Sequence, residues 1–103
     1  MARHSVAQLS DLPAGSALQV VVAGRQIGLF NCAGVLYAAD NVCTHAYAEL
    51  HEGYIDADDC SIECPLHGAR FDLASGRVLS LPAVTPIQVY PVSVEDGTIV
   101  VDL

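Results

Sequence analysis

The sequence predicts an all-β fold, an antiparallel sandwich or barrel. Three observations predict it. β-Branched and aromatic residues recur in short runs. Glycine-containing turn signals punctuate those runs at short intervals. Nothing longer than a single turn carries a helical apolar period.

The elements follow in order. Residues 16–23 alternate partly, through Leu18, Val20 and Val22, and form the first expected strand. Gly24 and Arg25 read as a turn into a strand over 26–30, and Asn31, Cys32, Ala33 and Gly34 as a second turn into 35–39. A short strand is expected over 53–55, a turn over 56–59 and a strand over 61–63. Phe71-Asp72-Leu73 and Val78-Leu79 flank the turn Ala74-Ser75-Gly76. Strands over 87–94 and 98–101 flank Glu95-Asp96-Gly97, a hairpin signal. Residues 47–50 are the one expected helical turn. There is no repeat, low-complexity segment or linker, and 103 residues fit one domain.

At 52% hydrophobic residues the chain can build a core and is not of disordered composition. No apolar run approaches the roughly 20 residues that a membrane span needs. Met1, Ala2, Arg3, His4 and Ser5 are not followed by a secretory apolar stretch, so a cytoplasmic protein is expected. The net charge is −8, from twelve acids against four arginines and no lysine. That balance argues against nucleic-acid binding and suits docking on a basic protein. Glu49, Glu52, Asp56, Asp58, Asp59 and Glu63 concentrate in one short insert.

That insert separates two cysteine–histidine pairs, Cys43-Thr44-His45 and Cys64-Pro65-Leu66-His67. Two Cys and two His can hold one tetrahedral zinc, or a [2Fe–2S] cluster with the thiolates on one iron and the imidazoles on the other. Structural zinc sites commonly pair Cys with Cys and His with His. Here each loop offers one of each, which suits two irons bridged by sulfide. Cys32 and Cys60 have no histidine at matching spacing and are expected to be non-ligands; a redox role has no local support, and their roles stay open. Disulfides are not expected in a reducing cytoplasm. Only His4 and His51 remain, with no nucleophile–base constellation and no phosphate loop, so no catalytic residue is assigned.

C-T-H followed by C-P-L-H resembles the cluster-binding signature of Rieske proteins. Gly53-Tyr54-Ile55 before the second loop, Gly68-Ala69-Arg70-Phe71-Asp72 after it, then Ser75-Gly76 and Leu81-Pro82-Ala83, agree with it. The resemblance covers about residues 30 to 102. It implies a Rieske-type [2Fe–2S] cluster with Cys43 and Cys64 on one iron and His45 and His67 on the other. It also implies a Rieske fold, with a cluster-binding subdomain over about 41–72 inserted in a basal β domain of 1–40 and 73–103. The histidines would lie at the exposed tip as the port for electrons, and residues 81–86 would cover the cluster from another side. Ala46 stands where a glycine often follows the first histidine.

Two neutral imidazoles make such a cluster less negative than a four-thiolate one, so its potential falls in a window of about −150 to +300 mV rather than near −400 mV. High-potential relatives carry an extra cysteine in each loop and a serine after the last histidine. Ala48, Leu66 and Ala69 stand in those places here, so a low potential is expected. The resemblance is to the ferredoxin components of aromatic ring-hydroxylating dioxygenase systems. It implies a soluble, monomeric, non-enzymatic carrier that moves single electrons from an NAD(P)H-dependent flavoprotein reductase to a terminal oxygenase. Two alternatives stand beside it. One is the small subunit of an assimilatory nitrite reductase or similar permanent complex. The other is a zinc-stabilised interaction module.

Overall fold

A computed structural model describes residues 2–44, 48–66, 68–81, 83 and 85–103. Its architecture turns on one long strand, β3 (Arg25–Cys32), buried from Ile27 to its end. Successive strand side chains point to opposite faces. Ile27 and Leu29 therefore enter one core, and Phe30 and Cys32 another.

β3 pairs antiparallel with β2 (Ala17–Val22) and β4 (Val35–Asp40), and β4 with the short β9 (Val89–Tyr90). A second sheet sets β11 (Thr98–Asp102) between β1 (Arg3–Gln8) and β10 (Val92–Glu95). Leu12, Val22, Ile27, Leu29, Ala38, Ile99 and Val101 fill the space between these two sheets. The third sheet is a meander of four three-residue strands: β5 (Tyr54–Asp56), β6 (Ser61–Glu63), β7 (Arg70–Asp72) and β8 (Val78–Ser80). Ile62, Phe71 and Leu73 pack there against Phe30, Cys32 and Ala39 of the central sheet, with Cys43 and Cys64 in the same core. The barrel-or-sandwich expectation resolves to a sandwich-like stack of open sheets.

Three hairpins end in glycine at positive φ preceded by a non-glycine residue at φ near +51°: Ala23-Gly24, Ala33-Gly34 and Asp96-Gly97. Two left-handed residues in succession give the turn whose twist matches paired strands. The second turn is thus Ala33-Gly34 alone, and Asn31 and Cys32 belong to β3. The expected 87–94 strand divides at Pro91, which has no N–H to donate. β1 was not expected; Val6 and Ala7 pack on the first core, but Arg3, His4 and Gln8 hide the alternation. In place of a helical turn over 47–50, a 3-10 turn spans Leu50–Glu52. Glu49 bridges Val42 as an extended pair, and the Leu50 N–H donates to the Asn41 carbonyl (2.6 Å). Tyr47 lies outside the described residues.

Cys32 and Cys60 form a disulfide with Cα atoms 5.7 Å apart. This corrects the expectation of no disulfide. The two stand 28 positions apart in sequence, and only the packing of the third sheet on the central one brings them together.

Candidate metal centre

The two cysteine loops are built alike. Cys43 leaves the end of β4 after Asn41 and Val42, and its N–H donates to the Ala48 carbonyl (2.9 Å). Cys64 follows β6, and its N–H donates to the Ala69 carbonyl (2.7 Å). In each loop the bond spans five residues and closes the loop at its base. His45 and His67 themselves lie outside the described residues.

The two thiols converge. Cys43 is 4% and Cys64 1% exposed, in one core cluster. Burial pushes the Cys64 thiol up to about 11, the Leu66 amide opposes this, and the neighbouring Cys43 sulfur raises it further. A buried pair of this kind holds negative charge only against a cation, and soft thiolates select zinc, copper(I) or iron–sulfur centres. The donor set therefore fits a metal centre. Among the described residues no group of three or more His, Cys, Asp or Glu gathers around one point.

Three supports hold the loops, and spacing alone pointed to none of them. Asn41 is fully buried two residues before Cys43. Its Nδ2 donates to Gln19 Oε1 (2.6 Å) and His51 Nδ1 (2.8 Å), and its Oδ1 accepts from the His51 N–H (2.8 Å). These bonds tie the first loop to β2 and to the 3-10 turn. Arg70 begins β7 directly after Ala69. Its guanidinium donates to Asp59 Oδ2 and Ser61 Oγ (2.7 Å each) and lies 3.6 Å from Asp56. Ser61 first, and then Arg70, hold the Asp59 carboxyl below its ordinary value against the desolvation that raises it. Gly53 supplies the third support. A Cβ there would strike the Glu63 carbonyl oxygen, so only glycine lets β6 approach just before Cys64.

The segment expected to cover the cluster is joined to the first loop: Thr44 Oγ1 donates to the Thr85 carbonyl (2.7 Å). Ala83 is buried, while Leu81 and Leu66 are 74% and 46% exposed. Exposed apolar side chains thus stand beside the second loop and on the segment tied to the first. Asp56 and Asp59 serve Arg70, which leaves Glu52 and Asp58 as exposed acids of the insert. No helix among the described residues is long and apolar enough to cross a membrane.

The sequence profile of the Rieske [2Fe-2S] domain matches residues 2–91. The 3-phenylpropionate/cinnamic acid dioxygenase ferredoxin subunit of Shigella flexneri serotype 5b is 44% identical over 103 residues, covering 100% of this chain and 95% of that protein. The ferredoxin of carbazole 1,9a-dioxygenase from Nocardioides aromaticivorans IC177 superposes with a TM-score of 0.92 at 36% identity, over 98% of this chain and 97% of that one. A chain from the complex of reduced oxygenase and oxidized ferredoxin in carbazole 1,9a-dioxygenase superposes with a TM-score of 0.87 at 33% identity, over 96% of this chain and 91% of that one. With two converging cysteine loops and a profile match over most of its length, the chain belongs to the Rieske [2Fe-2S] domain family.

Proposed function

We propose that this protein is a ferredoxin that carries single electrons from an NAD(P)H-dependent flavoprotein reductase to a terminal ring-hydroxylating oxygenase. The observation that carries the reading is the convergence of Cys43 and Cys64, each buried at the root of a loop closed by the same backbone bond. In this reading Cys43 and Cys64 hold one iron, and His45 and His67 the other. When bound, a [2Fe–2S] cluster takes up and gives back one electron.

The chain's own residues do the rest. Asn41 and Arg70 anchor the bases of the two loops. The buried core around Cys43 and Cys64 keeps water from the thiolate side. Leu66 and Leu81 offer apolar contact where a partner would approach, and Glu52 and Asp58 add exposed negative charge on the insert. Ala69 and Leu66 bring no side-chain donor toward the thiolates, which supports a potential in the lower part of the two-histidine window. The subdomain over about 41–72 would be the part that meets both partners, with β8 extending its sheet. The weaker reading is a fixed nitrite reductase small subunit. Relatives matched over the entire chain at 44% identity are dioxygenase ferredoxin subunits.

Electron paramagnetic resonance before and after dithionite reduction, with iron and acid-labile sulfide assays, tests the centre. A signal that appears only on reduction, with average g below that of four-cysteine ferredoxins, is expected. A colourless, silent, zinc-containing protein would overturn the reading.

A further inference from the structure

The Cys32–Cys60 pair has no part in electron transfer as proposed above, yet its placement is specific. Cys32 ends β3 in the central sheet and is fully buried. Cys60 ends the turn between β5 and β6 in the third sheet and is half-buried. The bond therefore joins the basal layers to the sheet that carries the second cysteine loop. Their Cα separation of 5.7 Å lies within the range disulfides span without moving the backbone.

A second observation bears on Cys60 independently. It holds a left-handed backbone, φ +51°. Glycine or asparagine adopts that conformation at least cost. A cysteine there is unfavourable unless its side chain gains something, and the cross-link is the gain in view.

The pair also connects to the metal centre through a short physical chain. The Cys60 carbonyl accepts from the Leu73 N–H (3.1 Å). Asp59 beside it receives Arg70, and Arg70 follows Ala69, whose carbonyl closes the Cys64 loop. On the other side, Cys32 Sγ lies 3.9 Å from the Asp56 carbonyl oxygen, at the start of the same turn.

We propose that Cys32 and Cys60 form a redox-responsive staple between the basal sheets and the cluster-binding loops, opened by a dithiol reductant and closed by a disulfide oxidant. In opening, one thiolate of the reductant attacks the more accessible Cys60 sulfur, and Cys32 leaves as a thiolate and takes up a proton. The reductant's second thiol then displaces Cys60, so two electrons and two protons pass to the protein as the reductant becomes a disulfide. Closing runs the reverse exchange with oxidised glutathione, which leaves as two thiols. A closed staple holds the Asp59–Arg70 contact and slows opening of the Cys64 loop. An open one lets the third sheet part from the central one.

The test uses the cluster-loaded protein equilibrated in glutathione buffers of graded ratio, then trapped by alkylation and mapped by mass spectrometry. A Cys32–Cys60 linked peptide that disappears with increasing reduced glutathione is expected. Alkylated Cys32 and Cys60 in every buffer would overturn the staple, and so would a linked peptide that dithiothreitol cannot open. Coupling to the centre is read as bleaching of visible absorbance in mild urea. The oxidised protein should bleach several-fold more slowly than the reduced one. A Cys32→Ala/Cys60→Asn variant should bleach at the faster rate in both buffers. Equal rates for the oxidised and reduced wild type, or a variant that still responds to the buffer, would overturn the coupling. The mapping of the wild type stands even if the variant does not fold.

Discussion

Gly53 shows how closely one residue constrains the centre. A methyl group there meets backbone, the Glu63 carbonyl, and not a side chain that could swing away. Gly53→Ala should therefore cost about 1–3 kcal/mol, as overpacking does, read as a lower urea midpoint, and should speed loss of the cluster because Cys64 follows Glu63. Tyr90 gives a test in pH. Burial first, and then its hydrogen bond to Asp40 Oδ1 (2.6 Å), push its phenol from 10.0 up to about 12, with Arg25 opposing. The fold prefers the protonated ring, so the stabilisation is complete below pH 10 and fades as pH rises toward about 12. Urea midpoints should fall more steeply over that window in the wild type than in Tyr90→Phe. Equal slopes would show that the phenol is not protected. Legibility at this scale divides by chemistry. Cys43 and Cys64 are legible because thiols beside imidazoles at short spacing have few other uses. Asn41, Arg70 and Gly53 are not, because each acts through partners nine or more residues away that no local pattern names.

At the scale of elements, the hairpins were the most readable features. Asp96-Gly97 announces its turn, and the structure holds both residues left-handed. Ala23-Gly24 has the same backbone with a poorer first residue. Ala23→Asn should raise stability by about 0.5–1 kcal/mol, because asparagine enters the left-handed region more readily than alanine; a thermal melt checks it, and an unchanged or lower midpoint would count against the turn. β2, with its run of three valines, and β3, an apolar stretch bounded by glycine turns, were found to within two residues at either end. β1 was missed since its stability comes from pairing with β11 and not from its own pattern. The Cys32–Cys60 bond was illegible for the same reason. It depends on contact between two sheets, and a disulfide closing a loop of that length adds about 3–4 kcal/mol in the chain-entropy account.

The whole molecule carries a charge of −8, and its few cations are largely committed. Arg3 pairs with Glu95, Arg70 with Asp59 and Asp56, and Arg25 lies over the Tyr90 ring while donating to its hydroxyl. The negative field is therefore left to steer basic partners. Electron delivery to a basic cytochrome should slow as salt is raised. Glu52→Gln/Asp58→Asn should slow it at low salt by roughly two- to tenfold and leave the resonance spectrum unchanged. Rates indifferent to both salt and substitution would remove charge from the docking account. Fold class was readable at this scale because composition and turn spacing report it directly. The order of the three sheets was not, since it rests on long-range pairing such as Arg3 with Asp102.

β3 has one further consequence. Its backbone is bonded to strands on both sides, and its two faces serve both cores. No partial opening frees its amides without dismantling both cores. Deuterium uptake at Leu29 and Phe30 should proceed only through global unfolding, while the short outer strand β8 exchanges earlier. Those two amides would then report the free energy of the entire molecule under native conditions, with no denaturant and with the metal centre still in place.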